Sequence, residues 1–381
     1  MNDNNPIEAN SPDITCSACG HVVPFRAYCI RCGRSLSDGE PQSATRGILG
    51  VGFSAAPDEP VLSVRVVSTL FPQLPKADMS AFRVAFGVGI AVVVGLALAR
   101  MFPVALIAAA VIVPLLTLLY LIDVDVYEDE PLHIIGLTMI AGAVAGVAIG
   151  LVVRFADAPV PIGDVNADHI LVRGVVVPIA DVLLALVGPL VLLRYRRFND
   201  VLDGATFGAM SAVSLFAAQT LVEASSLYNT GLRVPGAVTP WVVRLLEVGI
   251  SMPLIVSGAV GYATSTLWLR YRAPVRDRAA FGPFGHPALA IVLALIIVVS
   301  SAIGLLVLER NVAFVWLVLL AAVAQLLLRW SLHIGLLQEA AEIDTGPETR
   351  CSNCDRLTPL HSFCAGCGVS MRALPKTAGP A

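Results

Sequence analysis

Charge is scarce in this chain. Only 14% of its 381 residues are Asp, Glu, Lys or Arg, against about 25% in an average soluble domain. With 56% hydrophobic residues and a mean hydropathy of +0.79, that shortage excludes a disordered chain and an ordinary soluble enzyme. Lysine is nearly missing: Lys76 and Lys376 are the only two. The formal net charge is −3, so no bulk attraction draws nucleic acid, and no nucleic-acid partner is expected. Cysteine is absent between Cys32 and Cys351. Histidine is absent from the middle of every long apolar run. His21 and His361 lie among cysteines, His133 and His169 in loops, His286 and His333 near the ends of apolar runs. The opening 15 residues have no basic start and no apolar stretch. No cleavable signal peptide is expected, and the first spanning helix has to serve as the insertion signal.

What the chain has in abundance is apolar runs of membrane length. A span needs about 20 mostly apolar residues. Eight are expected, at 82–101, 104–122, 134–153, 174–193, 206–226, 241–269, 287–308 and 312–335. The first two meet at the short stretch ARMFP, where Pro103 marks the turn. The fold class is therefore an all-α polytopic membrane helical bundle of about eight transmembrane helices. The organisation is an N-terminal cysteine domain at 1–36, a Pro-, Gly- and Ser-rich linker at 37–81, the membrane body at 82–337, and a C-terminal cysteine domain with tail at 338–381.

Eight spans put both ends on one face. Arg194, Arg196 and Arg197 stand between spans 4 and 5; Arg270, Arg272, Arg276 and Arg278 stand between spans 6 and 7. By the positive-inside rule these loops are cytoplasmic, and so are both termini of a plasma-membrane protein. The acidic loop at 123–133 has no Lys or Arg and does not bear on the rule. Span 3 carries Gly142, Gly146 and Gly150. This small-residue stripe suits close helix packing inside the bundle; a homo-oligomer face is the alternative.

The eight cysteines form two tetrads of one pattern, C-x2-C-x9-C-x2-C. They are Cys16, Cys19, Cys29 and Cys32, then Cys351, Cys354, Cys364 and Cys367. An offset of 335 positions superposes them and also aligns Ser17 with Ser352, Pro24 with Pro359, Gly33 with Gly368 and Ser35 with Ser370. Paired CxxC knuckles supply four thiolates for a tetrahedral zinc ion, with no ligand position left for water, so each site is structural. Two disulfides per tetrad are the rival, which a reducing cytoplasm disfavours. The glycine after the second knuckle suits a positive φ. A domain of this size has almost no core, so the metal must supply its folding energy. Two Zn2+ are expected per chain. The spacing resembles bacterial zinc-ribbon domains, a likeness that implies protein contacts.

Two stretches of the body resemble the PrsW family of intramembrane metalloproteases, relatives of the CAAX prenyl proteases. The first is Tyr127, Glu128, Glu130 and Pro131; the second is Phe198, Asn199, Asp200, Leu202, Asp203, Gly204, Phe207 and Gly208. The likeness covers roughly 60–275. It implies three catalytic motifs. At the first, EExxK, this chain has Ala180, Asp181 and Leu184. At FxxxEN it has Phe216, Thr220 and Leu221. The family histidine, placed from the pair Gly261–Tyr262, falls on Pro253. Asp181 and Glu223 are the weak catalytic candidates that remain. The resulting expectation is a PrsW-like pseudoenzyme, a membrane scaffold that meets the lipid bilayer and whose ribbons bind a protein partner or each other. The alternatives are an active intramembrane zinc metalloprotease acting on membrane-anchored regulatory proteins, or a transporter or channel. In the bland reading, Gln219 and Glu223 hydrogen-bond between helices, and Arg244 with Glu247 form an interfacial ion pair.

Overall fold

The computed structural model describes residues 13–16, 22–31, 33, 35–36, 81–124, 132–156, 167–225, 238–272, 282–342, 346–351, 353–369 and 371. Cys19, Cys32 and the 127–131 motif lie outside them. The chain divides into two compact units. One gathers Met1–Ala81, Asp123–Asp129 and His333–Ala381; the other gathers Phe82–Ile122 and Glu130–Leu332.

The larger unit is helical. Its elements are α1 (Ala81–Leu98), α2 (Phe102–Val124), α3 (Leu132–Ala156), α4 (Ala167–Leu192), α5 (Val201–Glu223), α6 (Thr239–Tyr271), α7 (Pro287–Val307) and α8 (Arg310–Glu342), the last running on into the smaller unit. Seven of these helices are long and apolar enough to cross a membrane, and they suggest a multi-pass membrane protein. The exception is α1, whose apolar part spans only Phe82–Leu98. Its end is a Schellman turn. The Met101 N–H bonds the Leu96 carbonyl and the Arg100 N–H bonds the Ala97 carbonyl, with Arg100 at φ 60°. The expected first span therefore stops before Arg100, three residues early.

Two helices contain widened π-type turns, at Ile170–Val176 in α4 and Leu245–Ser251 in α6. Each ends just before a proline, Pro178 or Pro253. Proline has no N–H for the carbonyl four residues back, and its ring crowds that carbonyl. A wider turn relieves the clash. It also starts α4 at Ala167, ahead of the expected 174.

At the centre stands α5, with nearly every side chain buried from Val201 to Thr220. Its neighbours reach its backbone. A Cβ on Gly142 would sit 2.1 Å from the Ser211 carbonyl oxygen, and one on Gly146 would sit 2.0 Å from that of Leu215. So the glycine stripe of α3 is consumed inside the bundle, as close packing predicts, and is not a face for a second copy. On its other side α5 offers Gly204 to Trp268 and Gly208 to Thr264 of α6. Hydroxyls and amides join the outer helices. Ser265 Oγ pairs with Ser331 Oγ at 2.9 Å, and Gln325 Nε2 donates to the Leu254 carbonyl at 2.7 Å. The opposite faces are apolar and exposed, for example Ile140 and Val144 of α3, Leu183 and Val187 of α4, and Val315 and Leu319 of α8. Patches of that extent belong against lipid.

The smaller unit contains two short hairpins. In the first, β1 (Asp13–Thr15) pairs antiparallel with β2 (Val22–Pro24); in the second, β3 (Glu348–Arg350) pairs with β4 (Leu357–Pro359). The registers are the same after the 335-position offset: Asp13 faces Pro24 as Glu348 faces Pro359.

Substituting Gly146 should therefore be far costlier than substituting Gly136, which has nothing within 4 Å of an added Cβ. Gly146→Val is expected to destabilise by about 3 kcal/mol, and Gly136→Ala to be neutral or slightly stabilising. Thermal unfolding in detergent reads the difference.

Candidate metal centre and intramembrane polar groups

The C-terminal tetrad converges. The Sγ atoms of Cys351, Cys354, Cys364 and Cys367 all lie within 4.8 Å of one another. Two edges are closer still, Cys351 to Cys367 at 3.8 Å and Cys354 to Cys364 at 3.7 Å. A tetrahedral shell with metal–sulfur bonds of about 2.3 Å has edges of about 3.8 Å. The thiols are thus spaced for a metal ion, and this group could hold one.

Local backbone geometry explains why these four meet. The residue after each described knuckle is left-handed: Asp355 at φ 57°, Gly368 at φ 67° and, in the first repeat, Gly33 at φ 73°. This bears out the positive φ expected after the second knuckle. It also shows a non-glycine after the third, where aspartate tolerates that region. The turns are tied by Asp355 N–H to the Cys351 carbonyl and Gly368 N–H to the Cys364 carbonyl, both 2.8 Å. Gly366 N–H donates to Cys364 Sγ at 3.3 Å, and the Asn353 amide donates to Cys367 Sγ at 3.5 Å. Such donors orient and stabilise a thiolate.

Burial pushes the Cys354 and Cys364 thiols above the ordinary range. Burial acts the same way on Cys367, but the Asn353 amide, the Val369 N–H and the neighbouring thiols outweigh it and hold Cys367 below. A metal entering this site must displace protons from the first two. Acid restores those protons, so affinity falls as pH falls.

In the first repeat, Cys16 and Cys29 are buried together with Val23 and Ile30. The other two cysteines lie outside the described residues, so this tetrad has no description as a site. The two repeats do touch. Tyr28 N–H donates to the Ala365 carbonyl at 3.0 Å, and Phe363 N–H donates to the Ile30 carbonyl at 2.9 Å. Ala365 joins the buried cluster of the N-terminal repeat.

In the helical unit the weak catalytic candidates have different surroundings. Glu223 is already engaged. Arg173 reaches it at 3.2 Å and Gln219 Nε2 donates to it at 3.1 Å. The Gln219 bond runs within α5, one turn apart, and the link between helices is the ion pair to α4; this corrects the interhelical role expected for Gln219. Arg173 stands one residue before the expected start of span 4 at 174, and the early start of α4 brings it into the helix. Ser211 Oγ donates to the Ala185 carbonyl at 2.8 Å. That contact and the Arg173–Glu223 pair fix α4 antiparallel to α5 and place Asp181 beside the middle of α5. Its Oδ1 is buried with no hydrogen-bond partner among the described residues, and Glu223 lies within its electrostatic reach. Arg244 interacts electrostatically with Glu247, Glu223 and Arg310. The ion pair of Arg173 with Glu223 thus joins α4 to the C-terminal end of α5, with Arg244 of α6 within electrostatic reach. Among the described residues, the C-terminal cysteines are the only group of three or more His, Cys, Asp or Glu whose ligand atoms converge.

No protein-family model, curated protein or solved structure matches the chain.

Cys364→Ser is expected to abolish metal retention by a C-terminal fragment of the purified protein, and Asn353→Ala to weaken it by about 10-fold. Acidification from about pH 7.5 to about pH 5 should release the metal. A colorimetric chelator in a pH titration measures each; retention at the lower pH would contradict the thiol assignment.

Proposed function

We propose that this chain is a non-catalytic, PrsW-like membrane scaffold whose two cysteine tetrads each bind a structural zinc ion and mediate protein contacts. The observation that carries the scaffold reading is how the motif shared with that family is used. Asp200 and Asp203 form a capping box at the start of α5, with the Asp200 N–H donating to Asp203 Oδ2 at 3.0 Å. Phe198 stacks edge-on against Phe207 at 5.2 Å, and Phe207 against Trp268 at 6.0 Å. Gly204 and Gly208 admit α6. Every one of these contacts is architectural. The surviving acid nearest the family's second catalytic motif, Glu223, is neutralised by Arg173.

Zinc is favoured at the C-terminal tetrad because four thiolates at tetrahedral spacing satisfy it fully, and the N-terminal tetrad has the same sequence spacing. It brings no redox chemistry, and a closed shell leaves no site for substrate. Zinc here would supply folding energy to domains that bury too little by themselves.

The orientation reading puts both termini in the cytoplasm of a plasma-membrane protein. Arg272 donates to the Leu193 carbonyl, closing the C-terminal end of α4. That bond gathers the arginines at 194, 196 and 197 with those at 270 and 272 at one end of the bundle, as the positive-inside rule asks of one cytoplasmic face. The contact between the two cysteine repeats supports an even number of crossings. Two domains that touch must share a side of the membrane, and seven crossings would separate them. In this reading α1 is the eighth span. Its 18 residues rise about 27 Å, close to the hydrocarbon thickness of about 30 Å.

Two tests follow. Elemental analysis of detergent-purified protein is expected to give two zincs per chain. Three would reveal a buried site and restore the metalloprotease reading centred on Asp181 and Glu223. A topology reporter inserted at the Arg100 turn is expected to report the exoplasmic side, and a cytoplasmic signal there would remove α1 from the spans.

A further inference from the structure

We propose that the two cysteine repeats close on each other as a single metal-dependent clasp, fastening the N-terminal end of the chain to its C-terminal end. This rests on the reading of the tetrads as metal sites, and goes beyond it in naming each repeat as the other's binding partner. The contact is a pseudo-twofold. Tyr28 and Phe363 are equivalent under the 335-position offset, as are Ile30 and Ala365. The bonds Tyr28 N–H to Ala365 carbonyl and Phe363 N–H to Ile30 carbonyl are therefore one interaction made twice, in reciprocal directions.

The bonded residues flank metal ligands. Tyr28 and Ile30 bracket Cys29; Phe363 and Ala365 bracket Cys364. Ile30 and Ala365 lie inside their CxxC knuckles, between two cysteines. A metal that fixes a knuckle fixes the carbonyl that the other repeat uses. Without metal, a loop of this size has no reason to hold that edge in place.

The side chains favour the mixed pair over two like pairs. Ala365 enters the N-terminal core beside Ile30, so a large residue meets a small one. An N-terminal repeat paired with its own copy would set Ile30 against Ile30, and a C-terminal pair would leave Ala365 facing Ala365 across a gap. Further contacts are specific to the mixed pair. The Phe363 ring covers Gly33 so closely that an added Cβ would lie 2.8 Å away. His361 Nδ1 lies 3.0 Å from the Ile30 carbonyl.

The test uses the full chain in detergent, tagged at its N-terminus, with a site-specific protease site placed within 37–80. After cleavage the N-terminal fragment is expected to co-elute with the membrane body on size exclusion, and to be lost when a zinc chelator is added. Ile30→Arg should release the fragment while zinc remains at two per chain, which separates docking from folding. Release of the wild-type fragment with zinc still bound would overturn the clasp and leave the metal reading standing. Retention of the fragment in protein stripped of zinc would overturn the metal dependence. Co-purification of a differently tagged second chain, lost on cleavage, would mean that the repeats pair between copies and would overturn the intrachain assignment.

Discussion

Backbone against backbone is the contact on which the helical unit depends. Lipid offers no hydrophobic gain for bringing two apolar helices together, so association rests on close packing and on satisfied polar groups. Along α5 the packing reaches its limit. Glycines of α3 touch main-chain oxygens on one side, and glycines of α5 itself admit Thr264 and Trp268 on the other. With α5 held this way, the side chains at its ends have little freedom. Glu223 is delivered to Arg173, and Asp200 and Asp203 are delivered to the helix start. Relaxing one glycine contact would shift an ion pair and a cap together.

The cysteine repeats solve the opposite problem. They have no lipid to fill and too little apolar surface to fold on. In the C-terminal repeat, two tight turns gather four thiols at the spacing of a metal shell. The left-handed residues Asp355 and Gly368, and the N–H groups aimed at sulfur, are what make the gathering possible. A pairing of the two repeats enlarges that minimal core: Ala365 of one completes the apolar cluster of the other.

Much of this was legible in the sequence, for physical reasons. Long apolar runs report spans because only a helix satisfies the backbone in hydrocarbon, and the eight helices fall close to the eight runs. The Gly142, Gly146 and Gly150 spacing reported close packing, and the repeated cysteine pattern goes with two hairpins of the same register. The start of α4 was missed because a proline ordinarily lies in the first turn of a helix, whereas Pro178 stands eleven residues beyond Ala167; the widened turn before it lets the helix start earlier. Arg173, one residue before the expected span, was left out of it for the same reason. The early stop of α1 was hidden because Arg100 carries no glycine signal for the left-handed turn it adopts. Whether the two repeats bind a partner or each other stayed open in the sequence. A reciprocal bond between Tyr28 and Ala365 is made by main-chain atoms, which every residue possesses.

The order in which the chain is made gives that meeting a direction in time. Tyr28 leaves the ribosome long before Ala365, and at about 5–20 residues per second the wait is on the order of tens of seconds. Throughout, the N-terminal repeat holds out an unmatched edge while the whole membrane body is inserted. Only a chain translated to Cys367 can cover it. Of the two repeats, the one made first is thus completed by the one made second, and the bond that joins them certifies that everything between was synthesised.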